Sequence, residues 1–87
     1  MKFSVSWNPA AEQDLADLWL NHPPLQREIS DAANQIDSRL RAAPENEGES
    51  RVGRVRLLVV DPLLVEFNVL AEDLRVSVVA VSLWQRR

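Results

Sequence analysis

The stretch Phe3-Ser4-Val5-Ser6-Trp7-Asn8-Pro9-Ala10-Ala11-Glu12-Gln13-Asp14-Leu15 changes its period half-way along, and that change decides the fold. Phe3, Val5 and Trp7 alternate with Lys2, Ser4 and Ser6. This period of two describes a short strand with one buried face. At Asn8-Pro9 the alternation stops. An Asn side-chain oxygen accepts from an unpaired amide of a first helical turn, and Pro at the first helical position gives up only an amide that has no partner there. Beyond it, Ala11, Leu15, Leu18 and Trp19 share one helical face, while Glu12, Gln13 and Asp17 fall largely elsewhere. The reading is a strand that runs straight into a helix from about Pro9 to Leu20. It puts Trp7 and Trp19 in the core and the acids Glu12, Asp14 and Asp17 on a solvated face, the first two also favouring the helix dipole.

His22-Pro23-Pro24 ends this helix, because two prolines remove two amide donors and bias the preceding residue away from helix. A second amphipathic helix begins near Pro24. Its stripe is Leu25, Ile29, Ala32, Ala33, Ile36 and Leu40, and Ala43-Pro44 ends it. A short link makes the two helices an antiparallel hairpin. Pro44 to Ser50 reads as a polar loop. From Arg51 on, β-branched residues crowd in. Val52 to Val60 reads as a strand with Gly53 as a bulge, Asp61-Pro62 as a turn, Leu63 to Leu70 as a second strand, Ala71-Glu72-Asp73 as a turn, and Leu74 to Trp84 as a third strand. The order β-α-α-β-β-β gives an α+β fold, a two-layer sandwich in which an antiparallel sheet is covered by a helix hairpin. The sheet's expected core positions are Val55, Leu57, Val59, Val65, Phe67, Val69, Val76, Val78 and Ala80. Leu15, Leu18, Ile29, Ala33, Ile36 and Leu40 meet them from the helices.

The 87 residues suffice for one domain, 1–87, and 46% hydrophobic with 26% charged residues is an ordinary balance for a folded soluble chain. Without cysteine there are no disulfides, thiolate zinc sites or cysteine nucleophiles, and a single His makes Cys/His metal ligation untenable. No metal and no cofactor is expected. No apolar run approaches the roughly 20 residues of a membrane span, and Met1-Lys2-Phe3-Ser4-Val5 lacks the apolar core of a signal peptide. The chain reads as cytoplasmic. Its net charge of -3 is unevenly spread. Residues 1–50 hold nine acids and four bases, whereas residues 51–87 hold six arginines against four acids. Every base except Lys2 is arginine, the side chain suited to bidentate contact with phosphate or carboxylate. This asymmetry points to a local anion-binding face.

Val5-Ser6-Trp7-Asn8-Pro9-Ala10-Ala11-Glu12-Gln13-Asp14-Leu15 resembles the opening of the RelE/ParE-superfamily toxins, in which a strand enters a helix through a P-x-A-x-x-D/E-L pattern. Arg56-Leu57-Leu58-Val59-Val60-Asp61-Pro62-Leu63-Leu64-Val65-Glu66-Phe67-Asn68-Val69 is similar to that family's arginine-led hairpin, with Phe67 at its usual aromatic position. Glu72-Asp73 followed by Val76 to Val81 resembles its last turn and strand. The resemblance covers nearly the whole chain. It implies the toxin of a type II toxin–antitoxin module, held inactive by a cognate antitoxin whose covering segment is partly disordered and acidic-amphipathic until bound. RelE-like members cut mRNA in the ribosomal A site, and ParE-like members poison DNA gyrase without cutting anything. The leading expectation is the ribosome-dependent mRNA endonuclease. The alternatives are the gyrase inhibitor and a member that only binds its antitoxin.

RNA cleavage by attack of the 2′-OH needs a base, an acid and cationic help for the phosphorane. Arg54 and Arg56 are two apart on a strand and share a face, and Arg75 reaches them across the meander. These three are the candidate catalytic residues. Arg51, Trp84 and Arg86 are candidates for substrate binding, Trp84 by stacking on a base, a contact worth about 1–3 kcal/mol. The bland reading makes the arginines a solvated edge defence and buries Trp84 against the sheet end or under the antitoxin. Glu66 is a candidate base, unless an arginine is its cross-strand neighbour. RelE-like nucleases place Tyr or His near the C-terminus. This chain has no Tyr, has Ser82-Leu83-Trp84-Gln85-Arg86 in that place, and carries its only His, His22, in the helix–helix link.

Overall fold

The computed structural model describes residues 2–50 and 55–84, without the side chains of residues 49 and 50. In chain order the elements are β1 (Ser4–Trp7), α1 (Pro9–Asn21), α2 (Gln26–Ala42), β2 (Glu49–Ser50), β3 (Val55–Val60), β4 (Leu63–Leu70) and β5 (Arg75–Leu83). Single 3-10 turns lie at Pro23–Leu25, Pro44–Asn46 and Ala71–Asp73. The described strands form one sheet in the order β1-β5-β4-β3-β2. The helix hairpin covers one face of this sheet, so the α+β two-layer sandwich and its meander stand as the sequence implied. The orientation of one strand differs. β1 pairs parallel to β5, with Ser4 opposite Arg75 and Trp7 opposite Val78, so the sheet is mixed and not wholly antiparallel. No helix among the described residues is long and apolar enough to cross a membrane.

Asn8 caps α1 as its chemistry demands, its Oδ1 accepting from the Ala11 amide at 2.9 Å, with Pro9 as the first helical residue. The two prolines after His22 form a 3-10 turn, and α2 starts at Gln26, two residues later than the periodicity alone suggests. The buried stripe of α2 is Ile29, Ala32, Ile36 and Leu40. Only Ala11 of α1 is fully buried, while Leu15 and Leu18 pack against the core from the side. Trp7 also packs there, and its indole Nε1 donates to Asp37 Oδ1 at 3.3 Å. Trp19 is 40% exposed and not in the core, because the hairpin has no further layer outside it.

In the sheet, Leu63, Val65 and Phe67 of β4 and Val76 and Val78 of β5 are completely or almost completely buried under the helices. Four of the expected core residues, Val55, Leu57, Val59 and Ala80, fall on the wrong face. In β3 the buried residues are Leu58 and Val60, whereas Val59 is 39% exposed and Val55 and Leu57 face away from the helices. In β5, Val81 is buried in place of Ala80. The cause is a bulge: Glu66 pairs with Ala80 but Phe67 pairs with Val78, so Val79 is an extra residue and the in–out alternation reverses there.

Beyond Trp7 there is no β1 residue to pair with β5, and the outer amides of β5 need another acceptor. Asp14 supplies it, Oδ2 accepting from the Val81 amide at 3.1 Å. Asp14 is therefore a tie between layers and not part of a solvated face. At the other end of the sheet, the expected polar loop contains β2, whose Glu49 and Ser50 pair with Leu57 and Arg56. Gly48 makes the approach to β2 with φ +70°, and a Cβ there would collide with the Leu57 carbonyl oxygen. The expected strand start at Val52 and the bulge at Gly53 lie outside the described residues.

Asp14→Ala leaves the Val81 amide without its acceptor, and is expected to lower unfolding free energy by about 1–3 kcal/mol in urea titration, while the exposed Asp17→Ala changes it by less than about 0.5 kcal/mol. Gly48→Ala, which meets both the backbone strain and the carbonyl, is expected to cost about 1–3 kcal/mol in the same titration.

Candidate functional site

Strand parity divides the expected arginine cluster between two faces. Arg56 lies opposite Phe67, which is buried under the helices, so its side chain leaves the sheet on the helix side. There it reaches past the end of the core to the chain that follows α2. Its Nε donates to the Glu47 carbonyl at 3.0 Å, and its Nη2 donates to the Glu45 carbonyl at 3.1 Å. Arg39 holds the same segment, with Nη2 2.6 Å from Glu47 Oε1. The guanidinium that best matches the family arginine is thus engaged with loop carbonyls.

Arg75 lies opposite Leu70 on the face without helices and is exposed. Arg56 and Arg75 are therefore not brought together. Arg51, Arg54 and Arg86 lie outside the described residues. Trp84 follows the end of β5, nine residues from Arg75 and about 30 Å along the strand direction. Its amide donates to the Pro62 carbonyl at 2.7 Å, and its side chain is 41% exposed. His22 is on the helix layer, its Nδ1 donating to the Leu18 carbonyl at 2.9 Å.

The open face of the sheet carries two chemistries. Val55, Leu57 and Val59 of β3 and Leu64 of β4 make an apolar stripe. Beside it run Glu66 and Asn68 of β4, Arg75 and Ser77 of β5, and Ser4 and Ser6 of β1. The cross-strand neighbours of Glu66 are Leu57 and Ala80, not an arginine. Asn68 sits between Val55 and Ser77, and its Oδ1 is sealed from solvent without a hydrogen-bond donor among the described residues. Such an orphan acceptor costs about 1–3 kcal/mol. Asn68 was not singled out from the sequence. The available signal was its type, since Asn is depleted inside strands and here interrupts the run from Val65 to Leu70.

On these strands Glu66 and Arg75 are four residues and one strand apart, about 14 Å between their Cα atoms. Among the described residues no three His, Asp or Glu side chains converge as a metal site would need. An open groove of about 690 Å³ lies between α1 and α2 and is walled mainly by Leu15, Trp19, Leu20, Ile29 and Ala33.

No protein-family model matches the chain, and no curated protein matches it significantly. Solved structures do. A chain of the toxin–antitoxin complex RelBE2 from Mycobacterium tuberculosis superposes with a TM-score of 0.75 at 16% identity, over 95% of this chain and 92% of that one. A chain of the chromosomal ParDE TA system from P. aeruginosa superposes with a TM-score of 0.68 at 19% identity, over 97% of this chain and 98% of that one. The chain has the RelE/ParE-type toxin fold along nearly its whole length.

Removing the Arg56 fork frees the segment after α2. Arg56→Ala is expected to lower stability by about 1–3 kcal/mol and to speed cleavage after Glu45 and Glu47 by a glutamate-specific protease. Arg56→Lys, which cannot fork between two carbonyls, recovers only part of this.

Proposed function

We propose that the chain is the toxin of a toxin–antitoxin pair and that it arrests growth by holding a macromolecular target, DNA gyrase, and not by cutting RNA. The observation that carries this reading is the missing proton donor: among the described residues of the open face no His, Lys or Tyr stands beside Glu66. Cleavage of a phosphodiester by its neighbouring hydroxyl requires a base and an acid, each within hydrogen-bond reach of the same linkage. Beside Glu66, the described charged group on the open face is Arg75, and arginine holds its proton too tightly to act as the acid. His22 is on the opposite layer, and the chain has no Tyr.

The fold is common to the RelBE2 and ParDE chains, so the choice of target rests on the site. An apolar stripe beside a sparse polar row is suited to a protein surface, where packing supplies affinity and a few charges supply register. The same two complexes support a second protein, the cognate antitoxin, as the partner that keeps the chain inactive. Its covering segment is amphipathic and gains order on binding.

Induction of the chain in a bacterial host is expected to give filamentation and DNA damage, and the purified chain is expected to inhibit gyrase supercoiling. Arg75→Ala weakens that inhibition about tenfold, the effect of one lost ionic contact. Rapid loss of translation with cuts in ribosome-bound mRNA, and no effect on gyrase, would overturn the binding reading in favour of a nuclease. Co-expression of a small open reading frame adjacent to the gene is expected to restore growth.

A further inference from the structure

The open face carries a pattern that is its own complement. Along β4, Glu66, Asn68 and Leu70 point to this face at intervals of about 6.7 Å. Arg75 lies beside Leu70 on β5. The row therefore reads acid, carboxamide, base, with the carboxamide in the middle. Glu66 and Arg75 are exposed and form no ion pair with another described residue. The Asn68 oxygen lacks a donor among the described residues.

We propose that a second copy of this chain packs on this face, related by a two-fold axis that lies in the interface, crosses β4 at right angles and passes over Asn68. The operation reverses the direction of β4 and leaves the order of strands across the interface unchanged. Glu66 of each copy then stands over the Leu70 row of the other, one strand from Arg75, and two reciprocal ion pairs form. Asn68 meets Asn68. Once each carboxamide turns outward about χ2, its oxygen accepts from the amide nitrogen of the other, which removes the orphan acceptor. Val55 and Ser77, which share the Asn68 row, each meet their own counterpart, and Leu57 approaches Leu70 of the other copy. Sheets pack face to face about 10 Å apart, a gap that extended Glu and Arg side chains span.

The choice of a second copy over another occupant rests on this self-complementarity. An isologous interface requires every group to meet its own partner under one rotation, and an acid–amide–base row centred on the amide does so. This inference goes beyond the proposed function and holds whatever the target is. Its consequence for that function is that self-association hides the face proposed to bind the target.

Charge exchange tests it. Analytical ultracentrifugation of the full chain over a range from low to several hundred micromolar is expected to show a monomer–dimer equilibrium. Glu66→Arg gives each copy two bases on the row, and Arg75→Glu gives each copy two acids. Each variant alone is expected to dimerise at least tenfold more weakly than the parent chain, with circular dichroism unchanged. An equimolar mixture of the two is expected to form heterodimer, and the double exchange Glu66→Arg/Arg75→Glu to recover the homodimer. A parent chain that stays monomeric throughout, or a dimer indifferent to both single exchanges, such as one built on the Trp19–Leu20 groove, would overturn the proposal. Inhibition of gyrase is read separately, so loss of one result does not remove the other.

Discussion

A carboxylate from the helix layer resting on a backbone amide of the sheet sets the arrangement of everything around it. β5 is the strand that meets both β1 and β4, yet β1 is only four residues long and leaves the upper half of β5 without a neighbour on that side. Asp14 fills the gap at Val81. The bulge at Val79 falls between the last residue paired with β1 and the amide that Asp14 accepts from, and so the two devices work as a unit. The bulge turns Val81 into the core, and the carboxylate keeps its amide from being stranded there. The Asn8 amide, donating to the Val78 carbonyl at 3.0 Å, fixes the start of α1 at the same level. The helix hairpin is thereby registered against the sheet by polar contacts at its entry, while the apolar stripe of α2 supplies most of the buried surface.

A similar economy governs the end of the second helix. Arg39 and Arg56 converge on the segment from Glu45 to Glu47, one through a carboxylate and one through carbonyls. This segment must turn sharply enough for β2 to lie beside β3, which Gly48 permits. An arginine that holds the scaffold has less freedom to follow a substrate phosphate. Among the described residues, the open face is accordingly defined by apolar residues of β3 and by a few polar groups of β4 and β5.

The sequence made the architecture legible because its periods are clean where layers are simple. The change from period two to helical spacing at Asn8, and the stripe from Ile29 to Leu40, both map onto the structure. The errors fall where one local rule is overridden by a longer-range one. In Val55 to Val60 both parities are apolar except for Arg56, and by the ordinary rule a charge on a strand marks the solvent side. The charge marks the core side instead, because its long stem carries the guanidinium beyond the core to polar atoms. Ala80 was misplaced because a bulge without Gly or Pro leaves no trace in composition. Asp14 looked like one more acid on a helix surface, since its partner is 67 residues away in sequence. For the site, the sequence offers Arg75 as a partner of Arg54 and Arg56, but strand parity puts Arg56 and Arg75 on opposite faces, and Asn68 carries no motif because an orphaned acceptor is a property of surroundings.

The parallel pairing of β1 with β5 also orders events in time. Ser4 finds its neighbour Arg75 only after about seventy further residues have been made, so β1 waits on the sheet edge that will hold it. Translation at roughly 5–20 residues per second makes that delay several seconds long. During this interval the strand bearing Phe3, Val5 and Trp7 has no sheet to join, and α1 has no Val81 to grip. A chain assembled in this way becomes competent late and all at once, when its final strand slides between the first and the fourth.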